Sequence, residues 1–374
     1  MVHHARGLPA VKAHALLAGL TFLPYVVHIP YSVNIVLHAA LTVYVGSWRS
    51  VRDADGGGGP QEQMTNSDAM RFPLVGSCVL FGLFLCFKFL PKELVNLLLA
   101  GYITIIGAVV VVGAVLPFVE RLFPAKERDR VIRFLTVPKI PFLVKEPFPL
   151  ELTVPEAALA PPALAVGVWY FLTKGWLANN LLGLSLSIVG IEAMSLGSMQ
   201  TAGILLTGLF FYDIFWVFCT PVMVSVAKNF EAPIKLLFPR SSLRAAALAG
   251  EKAQFAMLGL GDIVLPGLFV ALCLRFDAQR QFRSSYFQTV FWAYCGGVAA
   301  TIVVMNVFKA AQPALLYIVP AVLGAVALHA ALRGEFKAVY EWQEEAADSG
   351  AADSAAGAGA DGGSGAAAAN KKAE

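Results

Sequence analysis

Apolar runs long enough to cross a hydrocarbon layer recur along this 374-residue chain, separated by short polar breaks. A span needs about 20 apolar residues at about 1.5 Å each. On that ruler the sequence predicts about nine: Tyr31–Trp48, Phe72–Phe89, Leu94–Phe118, Ala157–Leu172, Leu177–Met194, Thr201–Val224, Phe255–Leu274, Phe287–Phe308 and Pro313–Leu332. The first stretch is apolar from near Ala13 almost without break to Val45, too long for a cleavable leader. Residues 1–30 are therefore read as a retained amino-terminal segment with an interfacial lead-in. Residues 31–200 hold spans one to five, with a basic loop at 119–156 in which Phe142–Val144 has strand character. Residues 201–332 hold spans six to nine. Beyond Arg333 the chain turns acidic and then rich in Ala, Gly and Ser, so 333–374 is expected to be a disordered tail.

Composition agrees with an all-α polytopic membrane protein: 57% hydrophobic, 14% charged and 26 Phe. A formal charge of +3 with no basic stripe interleaved with aromatics excludes nucleic acid as a partner. The five cysteines lie in apolar runs without zinc-like spacing, so neither a metal nor a cofactor is expected. Charge also orients the chain. The 119–156 loop carries seven Lys and Arg, and the side that includes the tail holds 17 of the 28. That side is read as cytosolic and the amino terminus as lumenal. Lys371 and Lys372 then form a cytosolic dilysine pattern four and three positions from the end, an endoplasmic-reticulum retrieval address.

Two acids interrupt the apolar spans. Asp213 sits within Phe210-Phe211-Tyr212-Asp213-Ile214-Phe215-Trp216, where the aromatics are expected to desolvate it, and Asp262 follows Gly259-Leu260-Gly261. A carboxylate at membrane depth costs about 3 kcal/mol, so two of them call for a function. Neither span as drawn contains a basic residue to pair with them. Two carboxyls brought together in low dielectric share a proton, leaving one as base and the other as acid, which is aspartic-protease chemistry. Gly259 and Gly261 remove side chains and permit close approach. Tyr212 brings a hydroxyl next to the first acid. Pro313 breaks the helical ladder where the chain must line a cavity or be buried. Glu192, at the end of the fifth span, is read as a helix-terminal charge. No H-E-x-x-H occurs, and the Gly362-Gly-Ser-Gly365 stretch lies in the tail, where no base could be held beside it. Paired membrane acids also suit a proton or ion relay, but the halves show no internal repeat of the kind transporters carry. A non-proteolytic scaffold for membrane-protein quality control stays open on the sequence alone.

Three motifs, Tyr212-Asp213, Gly259-Leu260-Gly261-Asp262 and Gln312-Pro313-Ala314-Leu315, fall in order, each at a span. On these the chain resembles the signal peptide peptidase family of presenilin-type intramembrane aspartyl proteases, most like its plant and algal members. The likeness runs from about Ala18 to Arg333 and includes Arg71–Ser77, Leu177–Asn180 and Ala227–Lys235. The resemblance implies a nine-span presenilin-like fold with Asp213 and Asp262 catalytic. It also implies that Tyr212, Gly259, Gly261, Gln312, Pro313, Ala314 and Leu315 shape the site. The implied substrates are signal-peptide remnants and type II transmembrane helices cleaved within the lipid bilayer of the endoplasmic reticulum, with homo-oligomerisation left open. The chain departs from many members in having no N-x-[ST] sequon.

Overall fold

The structure, a computed structural model, describes residues 2–27, 29–51, 61–128, 130–137, 148–229, 232–241, 254–309 and 312–344. Phe142–Val144, Lys371, Lys372 and the tail beyond Glu344 lie outside the described residues. Long helices dominate in chain order: α1 Val2–Phe22, α2 Tyr31–Ser50, α3 Asn66–Phe89 and α4 Lys92–Val119. After the short α5 Ala125–Arg128 come α6 Val154–Thr173, α7 Trp176–Ala193, α8 Met199–Phe218 and α9 Val222–Asn229. Then follow α10 Gly261–Gln279, α11 Tyr286–Phe308, α12 Leu315–Arg333 and the short α13 Phe336–Tyr340, the last helix among the described residues. Among the described residues there are three two-stranded sheets: β1 Glu62–Gln63 parallel to β4 Met194–Ser195, β2 Val131–Val137 antiparallel to β3 Phe148–Thr153, and β5 Lys235–Pro239 antiparallel to β6 Phe255–Gly259.

Local chemistry sets several boundaries. Thr65 caps α3 by accepting from the Asp68 amide at 3.2 Å, while its own amide donates to Asp68 at 3.1 Å. Thr153 and Glu156 form the equivalent capping box on α6. Gly334, at φ 67°, closes α12 in the left-handed conformation that favours glycine.

Among the described residues, seven helices are long and apolar enough to cross a membrane: α3, α4, α6, α7, α8, α11 and α12. The expected first and seventh spans correspond to α2 and α10, which have 20 and 19 residues but fall short on composition. α10 is enclosed by protein, whereas α2 is buried on one side and exposes Val33 and Leu37 on the other. Every residue of α10 from Pro266 to Asp277 is buried, and the helix touches α2, α7, α8, α11 and α12. α2 likewise buries Asn34, His38, Thr42, Ser47 and Ser50. A helix with protein on all sides, as α10 has, needs no lipid-facing apolar stripe. Close approach comes from missing side chains: a Cβ on Gly46 of α2 would lie 2.9 Å from Ile191 of α7, and one on Gly267 of α10 would lie 2.6 Å from the same residue.

Four expectations change. The seventh span does not begin at Phe255, because 255–259 is strand β6 and the helix starts at Gly261. A short continuous apolar run has no period to tell strand from helix. The sixth span stops at Phe218 rather than Val224, since Pro221 cannot continue the ladder and α9 starts afresh at Val222. The amino-terminal lead-in is helical over Val2–Phe22 and packs along α2, burying Leu17, Leu20 and Thr21.

The tail does not become disordered at Arg333. After α13, Trp342 donates its indole N–H to Gln279 at 2.7 Å and sets its ring edge-on to Phe276. The Glu344 carboxylate pairs with Arg275 Nε at 2.7 Å and accepts from the Ser195 hydroxyl. The Glu344 amide donates to the Gly197 carbonyl at 2.7 Å. Arg275, near the end of α10, is the buried charge that this segment neutralises.

Candidate active site

Asp213 lies in the sixth long span, α8, with a residue exposure of 5%. Its helix is held to α3 by small residues. A Cβ on Gly208 would fall 2.9 Å from Pro73, and one on Gly76 would fall 3.6 Å from the Tyr212 ring. Trp216 donates its indole N–H to Ser77 Oγ at 3.1 Å, and Ser77 in turn donates to the Pro73 carbonyl at 2.8 Å. The Arg71–Ser77 stretch is thus the bed on which α8 rests. The aromatic surroundings of Asp213 differ from the expectation: Phe211 and Phe215 are 64% and 51% exposed. At about 100° per residue, positions two away from a buried acid point to the opposite face. The burial of Asp213 comes from neighbouring helices instead. Tyr212 packs towards α3 and Trp216, in a cluster with Phe87 and Val95.

Asp262 stands in the first turn of α10, half-buried, immediately after strand β6. Helices α8 and α10, which carry the two acids, touch. Gly259 is required by space: a Cβ there would sit 3.2 Å from Asp262 Oδ2. Gly261 shows no such need, its nearest neighbour being Leu265 at 3.9 Å. The basic residue nearest along α10 is Arg275, 13 positions on and so about 20 Å away along the axis, where Glu344 holds it.

The Gln312–Leu315 stretch forms the amino-terminal end of α12. Leu315, the first residue of that helix, donates its amide to Asp213 Oδ2 at 3.0 Å. The first amides of a helix have no intrahelical acceptor, and they favour an anion. Ala314 is buried, and its carbonyl accepts from Tyr317 and Ile318 at 3.1 and 3.2 Å. Gln312 Oε1 accepts from the Tyr317 hydroxyl at 3.4 Å. The stretch therefore turns the chain and presents one free amide to one acid.

Sequence reasoning missed three supports. Asn180 of α7 holds Leu237 of β5 at both backbone groups, donating to its carbonyl and accepting from its amide, each at 2.8 Å. Asn179 donates to the Lys235 carbonyl at 2.7 Å. The Leu177–Asn180 stretch is accordingly a side-chain edge for β5. On α11, the Thr301 hydroxyl reaches the Gly297 and Ala314 carbonyls at 2.9 and 3.4 Å. On the same helix the Tyr294 hydroxyl donates to the Asp262 carbonyl at 3.3 Å. Glu192, read from sequence as a terminal charge, pairs with Arg49 at 2.7 Å at the ends of α7 and α2.

A bundle that sets two acids on touching helices, one of them accepting from a helix amino terminus, is the arrangement of an intramembrane protease of the aspartic type. A family model described as Signal peptide peptidase matches residues 58–346, so the chain belongs to the signal peptide peptidase family. It is 44% identical over 314 residues to the Signal peptide peptidase of Mus musculus, covering 83% of this chain and 82% of that protein. The Homo sapiens Signal peptide peptidase is 43% identical with the same coverage. Intramembrane protease 2 of Caenorhabditis elegans is 46% identical over 188 residues, 47% of this chain and 40% of the relative.

Proposed function

We propose that Asp213 and Asp262 are the catalytic pair of this intramembrane protease and that it cleaves transmembrane helices of signal-peptide and type II orientation. The observation that carries the reading is the contact of α8, which holds Asp213, with α10, which holds Asp262, together with the Leu315 amide on Asp213. One ionised Asp takes a proton from water as the water oxygen attacks the scissile carbonyl carbon. The other, protonated, donates to the developing oxyanion, and collapse of the adduct expels the amine leaving group with a proton. A helical substrate must first unwind locally, because its carbonyls are already hydrogen-bonded.

On this reading Gly259 gives room to the Asp262 carboxyl, while Pro313, Ala314 and Leu315 set the Asp213 side of the cleft. Residues 201–332 are the catalytic half and 31–200 its support. The amino terminus is lumenal and the carboxyl end cytosolic, supported by the basic 119–156 loop, and Lys371 and Lys372 return the protein to the endoplasmic reticulum. The test is cleavage of a model signal-peptide helix by purified protein in detergent, for wild type and for Asp213→Ala and Asp262→Ala. The wild type is expected to cleave and both variants to be inert; substantial cleavage by either variant would overturn the assignment.

A further inference from the structure

Asp262 occupies the second position of α10, and in a regular helix its carbonyl would accept the amide of the residue four places on. That residue is Pro266, which has no N–H. The first turn of the helix that carries Asp262 is thus missing a bond directly beneath the acid. The Tyr294 hydroxyl is 3.3 Å from this carbonyl and donates to it. Tyr294 is 0% exposed, so its hydroxyl also needs a partner inside the protein. α11, which carries it, is fixed in turn: a Cβ on Gly297, three residues on, would lie 2.8 Å from the Ile318 backbone of α12.

We propose that Tyr294 is a positioning residue for the reaction, its O–H replacing the helix bond that Pro266 cannot make and so fixing the backbone from which the Asp262 carboxyl projects. The proposal rests on Asp262 being one of the catalytic pair. A carboxyl carried on a short side chain by an untethered peptide would sample a wider range of positions, and a misplacement of about 1 Å is enough to cost about 100-fold in rate. A Phe ring would fill the same volume but could not donate to the Asp262 carbonyl.

The experiment compares four proteins purified in detergent: wild type, Tyr294→Phe, Pro266→Ala and the double variant, assayed on a model signal-peptide helix with Asp262→Asn as control. Tyr294→Phe is expected to lower kcat about 10- to 100-fold with KM within about twofold. Pro266→Ala supplies an amide to the Asp262 carbonyl, so adding Tyr294→Phe in that background is expected to change kcat by less than about threefold. A purely structural tyrosine would not be bypassed by a residue on another helix. Should Tyr294→Phe alone fold poorly, the ratio of kcat between Pro266→Ala and the double variant decides the question by itself. Equal losses in both backgrounds, or wild-type kcat in Tyr294→Phe, would overturn the proposal. Activity in Asp262→Asn would instead overturn the reading of the pair on which it rests.

Discussion

The amide of Leu315 and the carboxylate of Asp213, 102 residues apart in the chain, meet at 3.0 Å where the amino terminus of α12 abuts the middle of α8. The bond joins the last long helix to the first acid, so replacing that acid has separable effects on chemistry and on stability. Asp213→Asn keeps an acceptor for Leu315, whereas Asp213→Ala leaves the amide buried without one. Both are expected to lose about 100- to 10,000-fold in turnover. Asp213→Ala should in addition lose about 1.5–3 kcal/mol of stability that Asp213→Asn largely retains. Thermal unfolding in detergent beside the activity assay separates the two; identical melting of the variants would show that the bond contributes nothing.

The two glycines before Asp262 are expected to behave differently. Gly259→Ala brings a methyl to 3.2 Å from Asp262 Oδ2, so the carboxyl must give way by a few tenths of an ångström. A loss of about tenfold or more in kcat should follow, with the fold retained. Gly261→Ala meets its nearest neighbour at 3.9 Å and should stay within about threefold of wild type. Kinetic comparison at matched expression checks the contrast, and equal behaviour would argue against the steric account.

Ala314 is 9% exposed beside the Asp213 contact, whereas Leu332 at the far end of α12 is 79% exposed. Ala314→Trp should lose cleavage and binding of an active-site-directed aspartyl inhibitor together, because an indole cannot fit without displacing the turn that delivers the Leu315 amide. Leu332→Trp should be tolerated in lipid. Photolabelling and turnover at matched thermal stability test the pair, and similar activity in both would reduce Pro313–Leu315 to a plain kink.

Glu344→Ala removes the partner of a buried arginine. Its ion pair with Arg275 involves side chains 17% and 6% exposed, and breaking such a pair costs about 3–5 kcal/mol. A clear fall in melting temperature is expected. Glu341→Ala, whose pair with Lys337 is open to solvent at 3.9 Å, should melt like wild type. A silent Glu344→Ala would show that the docked segment adds nothing to the bundle.

The acids are legible in the sequence because a carboxylate in an apolar run is conspicuous, and Pro313 because it cannot sit within a helix unnoticed. Tyr294 is not, being one of 10 tyrosines in a chain that buries amphipathic rings freely. Its meaning depends on a missing amide at Pro266, on another helix. Strand β6 reads in sequence as part of a span because Phe255–Gly259 is apolar throughout, and what makes it a strand is β5, itself gripped by two asparagines on α7. Acidity alone makes the segment 334–344 look like solvent-exposed tail. What holds it is the charge of Arg275, which resembles the polar end of a span when the seventh helix is drawn to stop at Leu274.

The burial of α10 and of one polar face of α2 bears on how the protein is made. A segment too polar to partition into lipid by itself must be received by helices already standing in the bilayer. For α10 the receivers α2, α7 and α8 are synthesised earlier, so it can enter directly into a prepared slot. α2 is less fortunate: apart from α1, its partners α7, α10 and α11 emerge from the ribosome after it. Its buried Asn34, His38, Thr42, Ser47 and Ser50 gain the packing of α7, α10 and α11 only after more than a hundred further residues of synthesis. The packing of the first half of this fold is therefore completed only by its second, and a ribosome stalled before α7 would leave the polar face of α2 without the helices that cover it.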